Sequence, residues 1–123
     1  MRALIVDDSR TMRTILGRIV AGLGFEVAQA GDGKQALAQL AAGPVPELML
    51  ADWNMPEMTG YELVCAVRAV PAYAAIKIVM VTTETETSQV ASALDAGANE
   101  YVMKPFTPEI ILDKLRMLGL AGG

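Results

Sequence analysis

Four apolar runs of this 123-residue chain end in residues able to do chemistry. ALIV (residues 3–6) is followed by Asp7-Asp8, and ELMLA (47–51) by Asp52. IKIVMVT (76–82) closes on Thr82 and Thr83, and EYVM (100–103) runs into Lys104-Pro105. Together these are three carboxylates, a hydroxyl and an ammonium. Histidine is absent and Cys65 is the single cysteine, so neither Ser-His-Asp nor Cys-His catalysis, nor a histidine-ligated zinc site, can be assembled within the chain.

If the strand ends converge, magnitudes restrict what the acids can be doing. Two carboxylates about 4 Å apart repel by roughly 4 kcal/mol at an effective dielectric of 20. Three would consume much of the ~5–15 kcal/mol that holds a small domain together. A cation resolves the conflict, and a donor set of hard oxygens points to Mg²⁺ or a similar ion and not to zinc. Mg²⁺ takes one or two carboxylates, which leaves Asp52 as a nucleophile for a phosphoryl group. The three oxygens of that group are then shared among Lys104, Thr82 and the metal. Blander roles compete at each position. Asp7-Asp8 could cap the following helix, Asp52 could be a solvated turn residue, the threonines could be strand formers, and Lys104 could be a surface cation.

The elements that must position these residues follow from hydrophobic period. Short apolar runs at 3–6, 25–30, 47–51, 76–82 and 100–103 predict strands. Between them, apolar residues recur at helical spacing. Met12, Ile15, Leu16, Ile19 and Val20 precede a stop at Gly22 and Gly24. Ala36, Leu37 and Leu40 lie within 34–42, and Leu63, Val64 and Val67 follow a start at Thr59 or Gly60. Val90, Ala91 and Leu94 are predicted inward on a helix over 87–96 capped by Gly97. Ile110, Ile111, Leu115 and Leu118 carry the last helix, opened by Thr107-Pro108. Cys65, within ELVCAVRAV, reads as a small buried hydrophobe. Five β/α units with continuously apolar strands predict an α/β, doubly wound, flavodoxin-like parallel sheet of order 2-1-3-4-5. In that order the first and third strands are neighbours at the reversal point, which brings Asp7, Asp8 and Asp52 together.

Net charge is −4 with no basic cluster, which argues against direct nucleic-acid binding. No apolar run reaches 18 residues, so no membrane span is expected. A lone cysteine suits a reducing cytoplasm.

The blocks LIVDDS, LADWNMPEMTG, VMVTTE and YVMKPF, in that order and spacing, resemble the signatures of bacterial response-regulator receiver domains. The resemblance is strongest to single-domain chemotaxis regulators of the CheY type and covers essentially the whole chain. It implies one receiver domain over 1–123 without an output domain, a signalling phosphoacceptor that assists its own phosphorylation and dephosphorylation rather than an enzyme. It also implies that Asp52 is phosphorylated and that Asp8 binds Mg²⁺ directly. Asp7 would bind the metal largely through water, Asp52 would also be a ligand, and the backbone carbonyl of Asn54 would complete the site. Thr82 and Lys104 would contact the phosphoryl group, Thr82 moving and Tyr101 rotating as the switch. Asn54 and Glu84 would tune the phosphoryl lifetime, and a cis Lys104–Pro105 bond is expected. Lys114 matches a lysine of the partner surface, although a solvated lysine is an equal reading. TETETS (84–88 and the preceding Thr83) lacks the basic residues of the chemotaxis type at the start of the fourth helix. The implied partners are a histidine kinase and a downstream target such as a flagellar motor switch protein.

Other functions compete with this one. A phosphorelay intermediate or phosphate sink would keep the chemistry. A haloacid-dehalogenase-like phosphatase would need an aspartate where Asn54 stands. Flavin binding is opposed by DDSR, whose acids repel an FMN phosphate.

Overall fold

The computed structural model describes residues 1–83 and 87–120. Among these, five strands alternate with five helices: β1 (Arg2–Val6), α1 (Arg10–Gly22), β2 (Glu26–Ala30), α2 (Gly33–Ala42), β3 (Leu48–Asp52), α3 (Gly60–Arg68), β4 (Lys77–Thr83), α4 (Thr87–Ala96), β5 (Glu100–Lys104) and α5 (Pro108–Met117). The strands are parallel in the order β2-β1-β3-β4-β5, the predicted doubly wound sheet. None of the described helices is long and apolar enough to cross a membrane.

Local chemistry sets the helix starts. Ser9, Asp32, Thr59 and Thr107 each accept a hydrogen bond from a backbone N–H in the first turn. Thr59 and Glu62 do so reciprocally, as a capping box. Ser9 therefore takes the capping role that Asp7 or Asp8 could have filled, and both acids are left for other work.

The sheet separates two cores. Leu4, Val6, Met49, Ala51, Ile78 and Met80 face α2, α3 and α4, while Ala3, Ile5, Leu48, Leu50, Val79, Val81 and Val102 face α1 and α5. β3 is buried along its whole length because both of its faces are covered and both of its edges are paired.

Helix phase departs from the sequence reading in several places. Cys65 is exposed, because Gly60, Leu63, Val64 and Val67 already fill the inward row of α3. On α4 the inward row runs through Val90 and Ala93, which leaves Ala91 and Leu94 outside. Ile15 and Ile110 are exposed at 43% and 39%, and Leu118 is half-buried. Each of these helices carries more apolar residues than its contact stripe can cover. A 3-10 turn at Pro71–Tyr73, not anticipated from the period, links α3 to β4.

That turn forms part of a cage around Arg68 at the amino ends of β4 and β5. The Arg68 guanidinium donates to the carbonyls of Gly97 (3.0 Å), Tyr73 (3.0 Å), Ala74 (3.3 Å) and Ile76 (2.6 Å), and to Asn99 Oδ1 (3.0 Å). The five N–H donors thus have five oxygen acceptors. Gly97 has φ +124°, and a Cβ there would meet Arg68 Cγ at 2.7 Å.

Candidate metal and phosphoryl site

Register builds the site at the opposite end of the sheet. Val6 of β1 is level with Ala51 of β3, Asp52 is level with Val81 of β4, and Thr83 is level with Lys104 of β5. Side chains alternate along each strand. Asp7, Asp52 and Lys104 stand two residues beyond Ile5, Leu50 and Val102, all in the α1/α5 core, so the three share a face. Thr82 stands two residues beyond Met80 of the other core, on the opposite face of β4.

The three acids meet. Asp7, Asp8 and Asp52 present carboxylate oxygens that all lie within 4.8 Å of one another. Asp7 and Asp52 are 1% and 7% exposed, whereas Asp8 is open to solvent. Lys104 Nζ lies 3.2 Å from Asp52 Oδ1 and 3.8 Å from Asp7 Oδ2. One ammonium thus pairs with two of the three carboxylates.

The electrostatics are strained accordingly. Burial pushes the Asp52 carboxyl above its ordinary range, the Asp7 charge adds to that, and the Lys104 ion pair opposes it without overcoming it. Burial also raises Asp7, against the hydrogen bond from the Ser9 N–H and the Lys104 charge. That N–H donates to Asp7 Oδ1 at 2.8 Å, but the buried Oδ2 has no hydrogen-bond partner among the described residues. An orphaned, buried carboxylate oxygen among hard donors fits a divalent cation such as Mg²⁺.

The loop after β3 is held close. Gly60 N–H donates to Trp53 O at 2.8 Å, folding the 53–59 segment back on itself. A Cβ on Gly60 would stand 2.5 Å from the backbone carbonyl oxygen of Asp52 and 2.6 Å from Met80 Cε, so only glycine allows α3 to start this near the end of β3. Met58 lies against Gly33 at the start of α2, and Glu57 takes the left-handed conformation at φ 67°. Trp53 is buried, its ring 6.1 Å from that of Tyr61.

The other expected residues are distributed as follows. Asn54 is exposed in this loop, two positions beyond Asp52. Thr82 is fully buried, and its hydroxyl is within 3.4 Å of Thr83 O. The Lys104–Pro105 bond is cis. Tyr101 sits outside the acid cluster, half-buried against the α3/α4 core. Lys114 is not a free solvated lysine, since its ammonium pairs with Glu100 at 3.2 Å. Glu84 lies outside the described residues.

Arg13 escaped the sequence reading. Its guanidinium donates to Asp7 O at 2.6 Å and to Gln29 Oε1 at 3.3 Å, steadying the first acid from α1. Its position one helical turn past the Ser9 cap is the only signal the sequence offers.

Comparison with known proteins agrees with this arrangement. Residues 3–116 match the family described as the response regulator receiver domain. The chain is 44% identical over 119 residues to the chemotaxis protein CheY1 of Helicobacter pylori J99, covering 96% of each. It is 44% identical over 125 residues to a chemotaxis protein CheY homolog of Campylobacter jejuni, covering 100% of this chain and 96% of the relative. Among solved structures, chemotaxis protein CheY4 of Vibrio cholerae superposes with a TM-score of 0.86 at 37% identity, over 94% of this chain and 96% of that one. From its strand order to the acids at the sheet's carboxyl end, this chain belongs to the response regulator receiver domain family, the receivers of two-component signalling.

Proposed function

We propose that Asp52 accepts a phosphoryl group from a phosphohistidine on a partner histidine kinase, and that the phosphorylated chain changes its affinity for a downstream target. The observation that carries this reading is the 3.2 Å approach of Lys104 to Asp52 beside two further carboxylates. An oxygen of Asp52 bonds to phosphorus as the phosphorus–nitrogen bond breaks, and the released imidazole takes a proton from solvent. Lys104 and the Thr82 hydroxyl then hold phosphoryl oxygens, by side chains already set at the ends of β5 and β4. Asp8, Asp7, Asp52 and the backbone carbonyl of Asn54 are the groups that would hold Mg²⁺. When bound, the ion supplies positive charge against the acids and the phosphoryl oxygens.

Burial of Thr82 next to the site, with Tyr101 half-buried on the adjacent strand, supports their roles as the elements that respond to the phosphoryl group. Asn54 and Glu84 are assigned to tuning how long it survives, and the chain assists both its gain and its loss. The names of the relatives favour chemotaxis as the pathway, with a flagellar motor switch protein as the target.

Incubation with acetyl phosphate and Mg²⁺ should raise the intact mass by one phosphoryl group, and Asp52→Asn should remain unmodified. Equal labelling of the variant would reject Asp52 as the acceptor.

A further inference from the structure

β5 is the outer strand of the sheet next to β4, so one of its edges is open. An open edge offers unpaired N–H and C=O groups, which proteins cover or charge. Here the cover is made by two side chains. Glu100 Oε1 accepts the N–H of Tyr101 at 3.1 Å and the Lys114 ammonium at 3.2 Å. Lys114 in turn stands 5.2 Å from the centroid of the Tyr101 ring, within cation–π range.

The faces involved make this contact unusual. Lys114 springs from α5, whose Ile111 and Leu115 belong to the α1/α5 core, but Tyr101 is packed against the opposite core. Lys114 therefore reaches around the edge of the sheet. Glu100 and Lys114 are 18% and 26% exposed at the side chain, so water screens the pair only in part.

We propose that Glu100 is a positioning residue for the switch: by holding Lys114 across the β5 edge, it fixes the Tyr101 ring in its half-exposed place. The proposal rests on the reading above in which Tyr101 rotates when Asp52 carries a phosphoryl group. Rotation of the ring breaks the contact with Lys114. The Glu100–Lys114 pair thus opposes switching and sets how much phosphoryl occupancy the chain requires. A carboxylate-bearing partner segment that took Lys114 from Glu100 would favour the switched state by the same route.

The test compares the parent chain with Glu100→Gln and Lys114→Met, using Tyr101 ring resonances by NMR and a beryllofluoride titration in Mg²⁺ read by Trp53 fluorescence. Tyr101 resonances should move in both variants. The half-maximal beryllofluoride concentration should fall about threefold in Glu100→Gln, the size of one partly screened contact. A purely structural pair would lower thermal stability and leave that concentration where it was, which would overturn the proposal. Unmoved Tyr101 resonances in Glu100→Gln would overturn it equally. A parent chain with no beryllofluoride response defeats the phosphoacceptor reading instead, and the ring resonances still decide whether Glu100 positions Tyr101.

Discussion

At the amino ends of β4 and β5 a half-buried cation, Arg68, has an oxygen acceptor for each of its five N–H groups. At the carboxyl ends the buried Asp7 has one oxygen without a hydrogen-bond donor among the described residues, beside two more acids and the Lys104 ammonium 3.8 Å away. The same sheet thus carries one charged centre whose demands are met inside the chain and one whose demands are not. Neutral carbonyls satisfy Arg68 without any counter-ion, because each donates electron density and none can lose its partner by titration. Lys104 meets the demand of the acids only in part, and a cation from outside would meet the rest. Saturation marks a structural centre and residual demand marks a working one.

Breaking the saturated end should cost the most. Arg68→Met leaves several carbonyls without donors and should lower unfolding free energy by about 3 kcal/mol in urea, while phosphoryl incorporation per folded molecule persists. Gly97→Ala, forced to place a Cβ against Arg68 Cγ in a left-handed backbone, should cost about 2 kcal/mol in the same assay. If either variant instead removed phosphorylation while remaining folded, the two ends would not be separable.

Breaking the unsaturated end should have the opposite sign. Asp52→Asn removes one of the crowded charges and keeps an acceptor for Lys104, so without divalent metal it should raise stability by about 1 kcal/mol at neutral pH. Phosphorylation by acetyl phosphate should be lost in the same variant. A metal-free Asp52→Asn protein that melts below the parent would show that the ion pair with Lys104 outweighs burial and repulsion.

The smallest effect sharpens the comparison through pH. Asp52 and Asp7 have folded-state values above the ordinary 3.8, so in the interval above 3.8 the folded chain binds protons that the unfolded chain has released. Stability is therefore lost as pH rises through that interval. In EDTA, the stability gap between Asp52→Asn and the parent should be near zero at the acid end and widen by some tenths of a kcal/mol per pH unit toward neutrality. Saturating Mg²⁺ should close it. A gap that stays constant with pH would mean that Asp52 titrates as in an unfolded chain.

Much of this was legible before any coordinates. The runs at 3–6, 47–51 and 76–82 gave strands to within one residue, since only strands buried on both faces are so continuously apolar. The helix over 87–96 and the Thr107-Pro108 start of α5 were also met in the structure. The acids could be paired because the expected order 2-1-3-4-5, which the structure has, makes β1 and β3 neighbours. Phase was less legible: Cys65 and Leu94 face solvent although their residue types argue for the core. Nothing local distinguishes them from Val64 or Ala93, because which third of a helix is covered depends on the sheet beneath it.

The order of residues by itself limited the kinds of chemistry available to this chain: carboxylates, hydroxyls and Lys104 at the ends of apolar runs, and no histidine. Tertiary structure alone decided which demands stay open. The orphaned oxygen of Asp7, the saturated guanidinium of Arg68 and the Lys114 bridge from Glu100 to Tyr101 are all contacts between residues distant in the chain or on separate elements. Whether a charge is satisfied depends on what surrounds it in three dimensions, and sequence spacing does not encode that until the strands are in register.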